Sequence, residues 1–124
     1  MLTHVMVGSN DIERSRKFYD ALFGVLGVDP APPGNRLMYS DGRFSFGVGE
    51  PINGEPACFA NGGTIGFAMK DADQCKAWHD AGVAAGGKSI EDPPGLREFG
   101  GTKYYLAYIR DPDGNKLCGM VRPT

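Results

Sequence analysis

Apolar and polar residues alternate at every second position in two matching stretches of the chain. In "THVMVGS", Thr3, Val5 and Val7 fall on one side and His4, Met6 and Gly8 on the other. In "GTIGFAMK", Ile65, Phe67 and Met69 oppose Thr64, Gly66 and Ala68. Period two marks a half-buried strand. After each stretch the period lengthens to that of a helix. Ile12, Ser15, Phe18/Tyr19 and Leu22/Phe23 share one helical face, and Ala72, Cys75, Trp78/His79 and Gly82 share another. Asn10 with Glu13, and Asp71 with Gln74, have the spacing of a capping box. Gly24, and Gly86 or Gly87, are the expected left-handed stops.

The two stretches are one text written twice. A single offset pairs Val5 with Ile65, Val7 with Phe67, Asp11 with Asp71, Phe18 with Trp78 and Asp20 with Asp80. Short strands follow each helix: "RLMYSDGRFSFGVG" in the first half and "KYYLAYIRDPDGNKLCGMV" in the second, the latter after a loop, "SIEDPPGLREFGGT". "DPDG" is turn chemistry, because Asp bonds its own backbone, Pro presets φ and Gly accepts positive φ. Each half therefore reads β-α-β-β-β. The expected fold is α+β: two tandem βαβββ modules forming cupped mixed sheets around a cavity, with helices outside. One domain spans 1–124, with module one at about 1–56 and module two at about 61–122.

Composition narrows the function classes. The chain has 124 residues, a net charge of −2 and interspersed acids and bases, so neither a nucleic-acid nor a membrane surface is expected. Three cysteines, Cys58, Cys75 and Cys118, lack paired spacing, which points to a reducing, cytoplasmic setting. No phosphate loop, nucleophile elbow, H-E-x-x-H or C-x-x-C is present. His79 is expected half-buried on its helix. The face turned away from the helices carries His4, Met6, Thr64, Cys118 and Met120, with Tyr105 and Ala107 expected opposite Cys118. Small residues dominate it, so two such curled sheets would enclose a ligand cavity.

Two β-α-β-β-β halves, opened by "HVMVGSNDIERSRKFYDALFG" and closed by "RDPDGNKL", resemble the vicinal oxygen chelate superfamily. That group includes glyoxalase I, bleomycin-resistance proteins and extradiol dioxygenases. The resemblance covers essentially the whole chain and implies a homodimer. It also implies one divalent ion on the concave sheet, held by the first and last strands of each half. Carried over, the first-strand ligand matches His4. Its second-half counterpart is Thr64. Counting four residues from the glycine of each turn gives Cys118 after Gly114 and Phe46 after Gly42. Cys118 thus stands where an acidic ligand is usual, and His4 alone is a matching ligand type.

Two function classes follow. One is a cofactor-free protein that binds a small organic molecule through His4, Thr64, Arg97, Tyr105 and Cys118. The other is an enzyme, a glyoxalase-type lyase or a dioxygenase, using His4 and non-standard ligands for Zn, Ni, Fe or Mn. There a metal would polarise two adjacent substrate oxygens. "DPPGLREFGGTKYY" is expected as a loop gating the site. In it Arg97 offers a fork of donors for an anion, and Tyr104 and Tyr105 offer stacking surface.

Overall fold

The structure, a computed structural model, describes residues 1–123. Module one runs β1 (His4–Gly8), α1 (Ile12–Val25), β2 (Arg36–Ser40) and β3 (Ser45–Gly49). Module two runs β4 (Ile65–Ala68), α2 (Ala72–Ala84), β5 (Lys88–Ser89), β6 (Gly95–Phe99), β7 (Thr102–Arg110) and β8 (Lys116–Val121). The α+β class and the tandem mixed sheets follow the pattern of the sequence. The first sheet has the order β1-β3-β2, and the second β4-β8-β7-β5 with β6 also on β7. In both, the first strand runs parallel to the last and the last antiparallel to its predecessor.

Strand numbers depart from a strict repeat. Module one has three strands among the described residues, because "DPAPPG" occupies the place of a fourth. Three prolines remove the donors a ladder needs. Module two gains a strand where a long loop was expected. Gly95–Phe99 pairs antiparallel with Thr102–Leu106 around Gly100 and Gly101, whose φ values are 58° and 81°. Two consecutive residues at positive φ make the tight hairpin turn that matches strand twist.

Cap details differ similarly. Asp11, not Asn10, caps α1, accepting from Arg14 N at 3.1 Å. Asn10 instead clasps the linker, exchanging two hydrogen bonds with the Ala57 backbone. Gly24 lies inside α1, and Gly27, at φ 75°, turns the chain away. Asp71 caps α2 as expected, accepting from Gln74 N at 2.8 Å. Gly86, at φ 109°, follows its end.

The helix-side faces of both sheets merge into one core. Phe18, Tyr19, Leu22 and Phe23 of α1 pack with Trp78 and Cys75 of α2, and with Leu37, Phe46, Ile109 and Leu117 from the sheets. Each such side chain contributes about 1.5–3 kcal/mol by leaving water. Glycine permits the closest approaches. A methyl group on Gly82 would stand 2.7 Å from Ile109 Cδ1, and one on Gly87 would stand 2.9 Å from the Gly82 carbonyl.

Polar contacts complete the join. Asp111, buried at the β7–β8 turn, accepts from Tyr19 Oη at 2.5 Å and from Asn115 Nδ2 at 2.8 Å. Asp113 in the same turn takes Arg14 Nη2 at 2.8 Å. The turn of module two is thereby locked onto the helix of module one. Burial pushes the Asp111 carboxyl above the usual carboxylate range, opposed by the hydrogen bonds from Tyr19 and Asn115. Among the described residues, no helix is long and apolar enough to cross a membrane.

Candidate functional site

The sheet faces turned away from the helices are built on two equivalent rungs. In module one, Met6, Gly47 and Met38 lie abreast on β1, β3 and β2. In module two, the same places hold Gly66, Cys118 and Tyr108 on β4, β8 and β7. This register corrects two positional expectations. Tyr108, not Tyr105, stands opposite Cys118, and Tyr105 packs against the core on the helix side, as does Ala107. Phe46 is also a core residue, 5.5 Å ring-to-ring from Phe67; the counterpart of Cys118 is Gly47. Counting from the turn glycines misplaces it because two residues separate Gly42 from β3, whereas one separates Gly114 from β8.

His4 is exposed at the start of β1, beside Ser45, with Nδ1 2.8 Å from Thr3 Oγ1. It lines a hollow of about 340 Å³ with Met6, Arg36, Met38 and Ser45. Thr64, just before β4, is exposed and shares a pocket of about 300 Å³ with Met6, Gly8, Cys58, Asn115 and Lys116. Met6 is therefore common to both hollows, whereas Cys118 and Arg97 line neither.

Cys118 is nearly closed off, at 4% exposure. Burial pushes its thiol up, only partly offset by a hydrogen bond from Tyr108. A thiol held protonated is a poor nucleophile and a poor ligand. Cys75 is raised to about 11 by burial in the core, consistent with a packing role. Arg97 Nη1 donates to the Gly95 and Leu106 carbonyls at 3.0 and 2.8 Å, and Nη2 to the Asp92 carbonyl at 2.7 Å. The guanidinium pins the 92–95 segment to β7, so most of its fork is spent inside the protein. It also lies over the Tyr108 ring, 5.9 Å from the centroid.

His79 is buried rather than half-buried. Its Nε2 is 2.8 Å from Ser89 Oγ and its Nδ1 3.0 Å from Asp80 Oδ1, fastening β5 to α2. Sequence reasoning also missed a groove of about 470 Å³ between the modules, lined by Phe23, Tyr39, Phe46, Phe67 and Met69, with Lys70 at its rim. Alternating apolar residues announce the core but cannot reveal where two modules leave it open.

The chain matches the Glyoxalase/Bleomycin resistance protein/Dioxygenase superfamily over residues 1–118. It belongs to that family. A glyoxalase/bleomycin resistance protein from Albidiferax ferrireducens is 52% identical, with a TM-score of 0.95 over 98% of this chain and 99% of that one. A glyoxalase-related enzyme from Fulvimarina pelagi shares the fold at 19% identity, with a TM-score of 0.75 over 99% and 88% of the two chains. A lactoylglutathione lyase from Agrobacterium tumefaciens does so at 21% identity, with a TM-score of 0.66 over 98% and 92%. No protein of curated function matches.

The donors of this glyoxalase-family chain do not fit the metal that the fold implies. The four positions at which the family resemblance places ligands, with Gly47 replacing Phe46, offer one imidazole at His4, a hydroxyl at Thr64, no side chain at Gly47 and a buried thiol at Cys118. A borderline divalent ion calls for several nitrogen or carboxylate ligands with open positions for substrate. Among the described residues, no three of His, Cys, Asp and Glu come together closely enough to hold an ion.

Proposed function

We propose that this glyoxalase-family protein binds a small organic molecule on the outward sheet faces without the usual metal. The replacement of the module-one ligand position by Gly47 carries the reading. In the space left by its missing side chain, the Met6 and Met38 thioethers converge and turn a would-be ligand site into an apolar floor. The hollow over that floor has the scale of small-molecule sites. His4 and Thr64 supply hydrogen-bonding groups on the same faces, and Cys118 with Tyr108 closes the wall of the second sheet. Arg97 acts by holding the neighbouring segment, and Tyr105 by supporting the sheet from behind.

The same reading has the protein working as a cytoplasmic homodimer, with its free cysteines kept reduced. A lyase or dioxygenase using His4 has the family fold in its favour and the donor set against it.

The test is metal content and turnover together. Purified protein is expected to carry substoichiometric Ni, Zn, Fe and Mn, to leave the methylglyoxal–glutathione hemithioacetal unconverted, and to gain thermal stability from small organic ligands. Stoichiometric metal that disappears in His4→Ala would overturn the proposal.

A further inference from the structure

The occupant's chemistry can be taken one step further, resting on the binding reading above. We infer that the module-one face takes an organic anion with a flat apolar body, which lies on Met6 and Met38 with its charge on Arg36.

Three observations converge. First, Met6 and Met38 remain 41% and 36% exposed although they sit at mid-strand, and a methyl group on Gly47 would lie 2.8 Å from Met38 Sδ. Two adjacent, polarisable thioethers form an adaptable seat for an aromatic ring. Second, the Arg36 side chain runs across Gly49 on the same face. A methyl group there would be 3.9 Å from Arg36 Nε and 4.0 Å from Met6 Cε, which places the guanidinium stem beside the thioether floor. Third, Arg36 is unengaged among the described residues. It has neither an ion pair nor a side-chain hydrogen bond, whereas Arg97 and Arg110 both spend theirs on backbone carbonyls.

At the other end of the same hollow, Ser45 and His4 add hydrogen-bonding groups. Glu50 lines the adjoining depression and forms no ion pair with Arg36. A cation beside an exposed apolar floor selects for a ligand that is apolar in body and anionic at one edge. An inorganic anion would leave the thioethers unused, and a neutral arene would leave Arg36 unused.

Two fluorescent probes separate these cases on the full-length protein. 8-Anilinonaphthalene-1-sulfonate and N-phenyl-1-naphthylamine share a ring system, and only the first carries a charge. The sulfonate is expected to bind more tightly, and Arg36→Gln to weaken it about fivefold, as for a partly solvated ion pair that also packs. Added salt should weaken the sulfonate only. The neutral probe should be indifferent to Arg36→Gln, and Met38→Ser should weaken both probes. Arg43→Gln, an exposed turn arginine, is the control and should change neither. Neutral-probe binding that equals the sulfonate's, or a sulfonate affinity untouched by Arg36→Gln, overturns the anion inference and leaves the binding reading standing. If neither probe responds to Met38→Ser, both fall.

Discussion

Tyr19→Phe tests the lock between the modules. The substitution keeps a fully buried ring and its contacts, such as the edge-on packing with Phe18 at 4.8 Å, and deletes only the hydroxyl. That hydroxyl donates to the Asp111 carboxylate at 2.5 Å, and a hydrogen bond to a charged buried group is worth about 1.5–3 kcal/mol. Asp111 keeps Asn115 Nδ2 and two backbone donors, so the lower half of that range, about 2 kcal/mol at pH 7, is expected.

The pH dependence follows from the direction of the Asp111 shift. Burial raises its carboxyl in the folded state, and the Tyr19 hydrogen bond opposes the rise. A carboxyl raised on folding favours the native state most fully below its unfolded value of about 3.9, and that contribution is lost as pH climbs through the folded value. Removing the hydroxyl lifts the folded value further. The Tyr19→Phe penalty should therefore be largest at pH 7 and shrink as pH falls toward the unfolded value. Urea unfolding at pH 7 and pH 4.5, followed by tryptophan fluorescence from Trp78, measures both. A penalty below about 0.5 kcal/mol at pH 7, or one equal at the two pH values, would refute the reasoning.

Other expectations concern packing and reactivity. Gly87→Ala should cost about 2–3 kcal/mol, because its methyl would press on the Phe18 ring and on two backbone carbonyls that cannot move aside. The check is a thermal melt against Gly66→Ala, whose methyl meets nothing within 4 Å. Arg97→Lys should lose the fork that ties 92–95 to β7, at about 1–2 kcal/mol, and speed amide exchange across Gly95–Phe99 without changing exchange in β8. Alkylation with iodoacetamide should reach exposed Cys58 first. Cys75 and Cys118 should react only on unfolding, which peptide mass mapping would show.

Much of the architecture was readable because the repeat is carried by core positions. Phe18 and Trp78 occupy equivalent fully buried places, Val5 and Ile65 equivalent half-buried ones against the core, and burial constrains them to stay apolar. The added hairpin was also legible in principle, since Gly100-Gly101 between residues of alternating character is a strong turn signal. Its polar content, Arg97, Glu98 and Lys103, disguised it as a loop.

The site was harder to read. Sequence offers no measure of how many residues a turn uses before the ladder resumes, so one extra residue after Gly42 moved the ligand position from Gly47 to Phe46. The same limit applied to Tyr105, where a one-residue error in register exchanges the two faces of a strand. Arg36 went unnoticed because what singles it out is the lack of a side-chain partner among the described residues, a property visible only once the neighbours are in place.

The Tyr19–Asp111 hydrogen bond joins groups 92 residues apart, and Asn10 reaches Asp113 across 103. Contacts of such separation form late, after the entropy of closing a very long loop has been overcome. During synthesis the first helix thus emerges well before the turn that fastens it. A ribosome must deliver the chain as far as Asp113 before the first module can acquire its final anchorage.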